Sequence, residues 1–431
     1  MKVLLACSPL AGHFNPVLVA ARLLKRAGHE TAIYSGSLFR EKVEAAGIEF
    51  FPLPAEVDFD LRDIGAAFPE WKQYTPGPQQ LLFTIKNVFA NSIPSQFEGL
   101  KAVLKQFEAD LVIYETGFLG VLPLLLGADG QRPACACLSV STLPLPREDG
   151  APLGPGLMPA VDAAQREQHQ AAAQRMAAVL NNPTREHADQ ILDKLGAQRL
   201  PGTIFESMGL LSDLVLQPCA PSFEFPFLTP PGNQVGFIGC LFPEGSGEVP
   251  AQVKQAKKAG KQIILVSQGT VVNNDLGRLV APVIEAFGED DDKLILVTTG
   301  GKPVGEIPGP ISANTVAVPF LNFREVFPYV DVLVALGGYG TVTQALSCGV
   351  PMVLAGHGQD KPEIAARIEW TGCGIRLDTD NPTVNQLHHA VDEVLSDPDY
   401  RSCAKRLAAE FASLDPAHEL PRLLEALVAD R

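Results

Sequence analysis

Two doubly wound α/β domains, each built on a parallel sheet, are what this chain of 431 residues predicts. Three observations carry the prediction. Short apolar runs alternate with stretches of helical periodicity over most of the chain, the pattern of strands joined by crossover helices. The length exceeds what one ordinary core fills, so two domains of roughly 200 residues each are expected. A stretch rich in Gly, Pro and charge, Gly239 to Lys261, separates two halves that repeat one architecture.

In chain order, Lys2 to Cys7, Glu30 to Ser35 and Glu49 to Pro52 read as strands, with helices from about Pro16 to Ala27 and from Phe39 to Ala46 between them. Further strands are expected at Asp110 to Tyr114, Ala134 to Ser139, Leu214 to Pro218 and Gln234 to Ile238. The second half gives strands at Gln262 to Ser267, Lys293 to Thr298, Thr315 to Val318 and Val330 to Ala335, with a helix over Leu276 to Gly288. Thr341 to Cys348 reads as a helix that Gly349 closes before Pro351 starts a new strand. The last helix runs from about Glu419 to Ala429, after Asp415 and Pro416. The expected division is a first domain over 1–240, a linker over 241–261, a second domain over 262–415 and a terminal helix over 416–431. Ser141 to Pro159, loaded with Pro and Gly, leads into an Ala- and Gln-rich helix through Leu180. It reads as a mobile flap, either a lid over a bound acceptor or a plain surface connection.

A net charge of −15 with no block of Lys or Arg argues against nucleic acid as a partner. No 18-residue apolar span stands clear of Gly, Pro or charge, and the run Val3 to Cys7 is broken by Gly12 to Pro16, too early for a signal peptide. A cytoplasmic protein without a membrane span is expected. The eight cysteines form no CxxC and have no histidine at zinc-ligand spacing, so they read as small buried hydrophobes and no metal site is expected.

Two strand-to-helix junctions carry chemistry. In Leu336 Gly337 Gly338 Tyr339 Gly340 Thr341 an apolar strand runs into glycines and a hydroxyl at the start of a helix. Free backbone N–H groups and the positive end of a helix dipole there can hold a diphosphate without a metal. In Ala11 Gly12 His13 Phe14 Asn15 Pro16 an imidazole sits at the carboxyl edge of a parallel sheet, where ligands of open α/β folds bind. With a pKa near neutrality His13 can take a proton from a hydroxyl; the alternative is a helix-start histidine that satisfies local backbone groups. No GxGxxG follows the first strand, so the dinucleotide fingerprint of dehydrogenases is absent. Phe59, Phe68, Trp71, Tyr74, Phe83, Phe89 and Phe97 crowd one stretch of a chain with 7% aromatics. They either line an apolar cleft for a hydrophobic ligand or are buried by their own amphipathic helices.

The glycine loop, followed by Gln344 Ala345 Leu346, Gly349 Val350 Pro351 and Asp360, resembles the signature HGGxGT, acid-Ala-Leu, GVP and DQxxNA of the family 1 glycosyltransferases, in particular the bacterial ones acting on natural products. The resemblance covers the whole chain. Gly337, Gly338, Gly340, Thr341, Gly349 to Pro351, Asp360, Ala365, Gly372 and Gly374 match the pattern. Leu336 stands in place of the family's histidine, Gln344 in place of its glutamate, and Lys361 in place of the glutamine of the DQ pair.

The resemblance implies the GT-B fold, in which two Rossmann-like domains face a central cleft and the last helix crosses back to the first domain. It implies that the acceptor binds on the N-terminal lobe and the nucleotide sugar mainly on the C-terminal one. His13 would be the base, oriented by an acid at the end of a later strand, here Glu115, where the family usually has aspartate. Read alone, Glu115 is equally a solvated strand-end carboxylate. Thr270, in Ser267 Gln268 Gly269 Thr270, would meet the diphosphate or cap a turn. Asp360 and Lys361 would meet the donor sugar, or Asp360 and Glu363 are simply first-turn acids of a helix. Phe320 occupies the place of the family's nucleobase platform, or packs into the core. Phe59, Trp71, Phe83 and Phe89 would line the acceptor pocket.

The implied activity is inverting transfer of a hexose from UDP-glucose, or next a dTDP-sugar, to a hydroxyl of a small hydrophobic acceptor, without metal or other cofactor, by a monomer or homodimer. The departures at Leu336, Lys361 and the nucleobase platform also fit a noncatalytic nucleotide-sugar-binding homologue or auxiliary subunit. An epimerase of nucleotide sugars on the same fold is a third reading, which the aromatic stretch disfavours, since a lone sugar substrate needs no apolar pocket.

Overall fold

The computed structural model describes residues 1–429 apart from 76, 129, 131, 229–233, 246 and 271–272, and apart from the side chains of 62 and 234. Seven strands form the first sheet: β1 (Lys2–Ala6), β2 (Glu30–Ser35), β3 (Glu49–Pro52), β4 (Leu111–Glu115), β5 (Ala134–Leu138), β6 (Leu214–Gln217) and β7 (Gln234–Phe237). Their order is β3-β2-β1-β4-β5-β6-β7, with every pairing parallel. Six strands form the second: β8 (Gln262–Ser267), β9 (Lys293–Thr298), β10 (Thr315–Val318), β11 (Val332–Ala335), β12 (Met352–Ala355) and β13 (Gly374–Leu377), ordered β10-β9-β8-β11-β12-β13 and again parallel. Both are Rossmann-like.

Central strands such as β4, β5 and β11 are buried along their whole length because crossover helices cover both sheet faces, which is why they read as continuous apolar runs rather than alternating ones. Alternate side chains therefore feed two apolar clusters per sheet: Leu4, Val112 and Tyr114 on one face of the first, Val3, Leu5 and Ile113 on the other. The second sheet divides likewise, with Ile263 and Leu333 opposed to Ile264 and Val334.

Several boundaries differ from expectation for physical reasons. The first helix is Ala11–Arg26 and contains Pro16, where the sequence pattern had it begin. Its opening turn is made by the Leu10 carbonyl, which accepts from His13 N at 3.0 Å and Phe14 N at 2.8 Å. His13 is thus on the helix and not in the loop before it. The glycine-loop helix is Tyr339–Ser347, so Thr341 belongs to its first turn. Within the expected linker lies a helix, Ala251–Lys258, whose Val253 and Ala256 are buried in a core cluster of the second sheet. The final helix, Pro416–Ala429, buries Leu420 and Leu424 in a cluster with Val3, Val17 and Leu24, against the first sheet; residues 430–431 of the expected terminal helix lie outside the described residues.

The flap expected over Ser141 to Pro159 is instead fastened. Arg147 donates to both oxygens of Asp149 and to the Leu157 carbonyl, and Asp149 accepts in turn from Ala151 N and Ala160 N. These bonds fold the segment on itself.

Six of the eight cysteines are buried, Cys348 and Cys403 are partly exposed, and all are free thiols. No helix among the described residues is long and apolar enough to cross a membrane.

Candidate active site at the two sheet crevices

In an open parallel sheet, the crevice where strand order reverses lies at the carboxyl ends of two neighbouring strands. Here the reversals fall between β1 and β4 and between β8 and β11. Both predicted junctions sit at them.

At the first, the register Ala6 to Tyr114 brings the end of β4 level with the turn that follows β1. Glu115 closes β4 and is fully buried, so the solvated strand-end reading fails. Its Oε1 accepts from Ser8 N at 2.9 Å, and its Oε2 accepts from Gly117 N at 2.6 Å and from His13 Nδ1 at 2.7 Å. Burial alone would raise the Glu115 pKa, but the charge and hydrogen bond of His13 and the bonds from Ser8 and Gly117 outweigh it and bring the carboxyl below its ordinary range. For His13, burial works to lower the pKa, while the charge and hydrogen bond of Glu115 and the charge of Asp360 prevail and raise it above 6.5.

With Nδ1–H donated to the carboxylate, the neutral imidazole carries its lone pair on Nε2. The His13 side chain is 28% exposed while Glu115 is sealed beneath it. The pair can therefore take a proton from a group in the cleft and hold the resulting charge. The sequence reading missed Gly117: a Cβ there would lie 2.9 Å from His13 Cε1 and Nδ1 and 3.2 Å from Glu115 Oε2. Its only signal was a glycine two residues beyond the acid. The Ser8 amide left no signal at all, because any residue but proline supplies an N–H.

At the second crevice, Gly337 turns the chain with φ 87° and Gly338 caps the Tyr339–Ser347 helix with extended backbone and no side-chain cap. Gly338 and Gly340 are exposed and Thr341 is half-buried, so the helix presents its first-turn amides at an open surface, an arrangement suited to an anion. Tyr339 turns the other way: its hydroxyl accepts from Gln217 Nε2 at 2.6 Å and ties the loop to the end of β6. Leu336 is 3% exposed and belongs to the core, so no side chain from that position reaches the loop surface.

Lys361 is buried, with its Cβ 3.8 Å from where a Cβ on Gly337 would be. Its Nζ donates to Gln359 Oε1 at 2.9 Å and to the Gly358 carbonyl at 3.4 Å. Burial lowers its pKa more than Asp360 and Asp380 restore it.

Asp360 precedes the Lys361–Trp370 helix without capping it; its Oδ2 accepts from Ser141 Oγ of the first domain. Ser141 follows β5, the neighbour of the strand that ends in Glu115, so this bond brings Asp360 of the second domain to the carboxyl edge of the first sheet. Glu363 is a first-turn acid of that helix, as the alternative had it, and is only 2% exposed. Thr270 is exposed just beyond β8. Phe320 follows β10 with its ring over Gly301 and is 69% exposed, which overturns the core-packing reading. Of the aromatic stretch, Phe97 is in the core. Phe59 meets Phe68 edge to face at 4.8 Å, Phe83 meets Tyr74 at 5.2 Å, Phe89 meets Phe205 at 6.5 Å, and Trp71 Nε1 donates to Thr84 Oγ1 at 3.0 Å. These four are half-buried, and each is partnered by a residue outside its own helix, Phe89 by one from the Ile204–Leu210 helix.

Residues 281–427 match the family described as Erythromycin biosynthesis protein CIII-like, C-terminal domain. The chain is 34% identical to UDP-glycosyltransferase 2 of Phaeomoniella chlamydospora over 438 aligned positions, covering 99% of this chain and 96% of that protein. The chain belongs to the UDP-glycosyltransferase family. This glycosyltransferase is also 32% identical to 4'-demethylrebeccamycin synthase of Lentzea aerocolonigenes, with 99% of each covered, and 33% identical to UDP-glucosyltransferase B1 of Starmerella bombicola, with 96% of each covered. Fungal proteins thus stand among its relatives, and the likeness is not confined to bacterial ones. In fold it is similar to the glycotransferase of kitacinnamycin, with TM-score 0.74, 20% identity and 99% of each chain covered. The calicheamicin glycosyltransferase gives 0.71 at 20% identity, covering 100% of this chain and 98% of that one. The glycosyltransferase therefore has the GT-B fold.

Proposed function

We propose that this glycosyltransferase moves a hexose, with inversion, from a nucleoside diphosphate sugar to a hydroxyl of a small hydrophobic or aromatic acceptor such as a flavonoid, polyketide or macrolide. The observation that carries the reading is the His13–Glu115 pair, bonded through Nδ1 at 2.7 Å with the imidazole partly exposed over a sealed carboxylate.

On this reading His13 Nε2 takes the acceptor proton as the acceptor oxygen forms its bond to the anomeric carbon, and the bond from that carbon to the diphosphate breaks. Glu115 keeps the imidazole in the correct tautomer and stabilises the imidazolium. Negative charge developing on the leaving diphosphate meets the amides of the Gly338–Thr341 turn and the Thr341 and Thr270 hydroxyls. Asp360 accepts from hexose hydroxyls, Lys361 adds positive charge behind the loop, and Phe320 offers an exposed ring to the base. The reading assigns charge stabilisation to backbone and cation, and calls for no metal. UDP-glucose is the favoured donor, since relatives bear the name UDP-glucosyltransferase, with dTDP-sugars second. Phe59, Trp71, Phe83 and Phe89 line the acceptor side.

The test is a mass-spectrometric transfer assay pairing UDP-glucose, UDP-galactose and dTDP-sugars with flavonoid, polyketide, macrolide and steroid alcohols. A hexose increment on an alcohol is expected, with the β-linked product from an α-linked donor. Retained anomeric configuration, or no transfer to any alcohol while nucleotide sugar binds, would sink the reading.

A further inference from the structure

The segment from Ser141 to Ala160 leaves the carboxyl end of β5, next to the strand that carries Glu115, and crosses to the second domain. One carboxylate holds it there. Gly154 N and Gly156 N both donate to Glu363 Oε1, each at 3.0 Å. Glu363 Oε2 accepts from Arg367 Nη1 at 2.8 Å, and Arg367 Nε donates to Glu224 Oε2 at 2.8 Å. Glu224 follows β6 in the first domain, and its Oε1 accepts from Gln217 Nε2 at 3.0 Å and from Leu143 N at 3.3 Å. All three charged side chains are at most 2% exposed, and the Arg367 guanidinium lies 4.2 Å over the Phe225 ring.

A buried Glu–Arg–Glu triad contributes little net stability over apolar packing of the same volume, because desolvation offsets the attraction. What it supplies here is position. The clamp bears on the expected sugar space through three neighbouring facts. Glu363 lies on the first turn after Asp360, with Glu363 N donating to the Asp360 carbonyl at 3.1 Å. Ser141, at the start of the segment, donates to the Asp360 carboxylate. Gly156 is seated against the same helix turn: its φ is 64°, a Cβ would lie 2.2 Å from the Pro362 carbonyl oxygen, and its own carbonyl accepts from Arg376 Nη1 at 2.8 Å.

We propose that Glu363 is a positioning residue: through Gly154 and Gly156 it fixes segment 141–160 as a rigid wall of the pocket that receives the donor hexose, with Arg367 and Glu224 holding its carboxylate in place. This rests on the glycosyl-donor reading above. The wall acts on the hexose and not on the nucleotide, because the clamp grips the helix after β12 whereas the diphosphate is offered the helix after β11.

The clamp is tested without ligand by hydrogen exchange read at residues 154 and 156. These amides are protected in the native protein and exchange faster in Glu363→Ala; free exchange in the native protein, or unchanged protection in the variant, overturns the clamp. The wall is tested by calorimetry with UDP-glucose and with UDP alone. In Glu363→Ala the Kd for UDP-glucose rises about five- to tenfold, as for loss of a charged hydrogen-bond acceptor, while that for UDP stays within about twofold. Glu363→Gln, which keeps an acceptor oxygen, falls between. Gly156→Ala leaves the ionic triad intact and dislodges the segment from the other side, with the same hexose-specific loss. Equal weakening of UDP and UDP-glucose, or no weakening in either variant, overturns the positioning role. A native protein that binds no nucleotide sugar yet shows Glu363-dependent protection counts against the glycosyl-donor reading and leaves the clamp standing.

Discussion

The two domains order their strands alike: β3-β2-β1-β4-β5-β6 in the first, before the added β7, corresponds to β10-β9-β8-β11-β12-β13 in the second. At the same place in each sheet they carry opposite kinds of chemistry. The first crevice holds a titratable side-chain pair, His13 over a sealed Glu115. The second offers mainly backbone at its centre, glycines and a helix start, with Thr270, Thr341, Asp360 and Lys361 around it and Leu336 turned into the core. Proton transfer needs a side chain whose pKa can be set, whereas stabilising a leaving anion needs oriented dipoles that backbone alone provides. On the proposed reading one topology supplies two sites, and the local chain decides which chemistry each would perform.

If that division holds, damage to the first crevice should strike turnover and spare nucleotide binding. The largest effect is expected for His13→Ala, a loss of about 10³- to 10⁴-fold in kcat with the Kd for UDP unchanged by calorimetry; a parallel loss of UDP binding would break the comparison. Glu115→Gln should cost about 10²-fold and also move the pH profile. His13 must be neutral to accept a proton, so kcat/KM falls as pH drops through its pKa, which Glu115 holds above 6.5. Without the carboxylate's charge that limb moves to lower pH, and a limb that stays put would mean another group titrates. Gly117→Ala should cost about tenfold or more in kcat, since its Cβ would press on the imidazole at 2.9 Å and the pair must spread.

The second crevice sharpens the comparison from the other side. Lys361 carries its charge in the folded state at a cost, because burial lowers its pKa. That cost is full below the folded-state pKa and fades as pH rises through it toward 10.5. Lys361→Met should therefore raise stability by about 1 kcal/mol where the lysine is charged, read by denaturant melts, with the gain shrinking in alkali, while UDP binding weakens several-fold. Unchanged UDP binding would remove Lys361 from the donor side. Smallest of all, chelation by EDTA should leave transfer unchanged; a loss reversed by a divalent cation would show that backbone dipoles and Lys361 do not suffice.

How much of this was legible in the sequence varied with the range of the interaction. Strand positions were, because full burial writes itself as apolar runs such as Leu111 to Tyr114. The glycine junction was, because Gly337 turns with φ 87°, which few other residues adopt. The start of the first helix was not: Pro16 reads as a first helical residue, and only the Leu10 carbonyl accepting from His13 and Phe14 extends the helix ahead of it. The bonding of Ser141 to Pro159 was not legible, for a related reason. Pro and Gly mark a segment that forms no regular structure, and such composition is silent on whether a distant carboxylate holds it.

By itself, then, the sequence determined the two parallel sheets, the strand-to-helix junctions where ligands gather, and the residue types offered at them, since these follow from periodicity and local backbone preference. The tertiary structure decided which of those residues meet. That Glu115 lies under His13 although 102 positions separate them, that Leu336 faces inward, and that Glu363 is buried and paired with Arg367 all depend on strand order and on packing between domains. Pairings of that span are fixed by burial in three dimensions, and a linear pattern records burial without recording the partner.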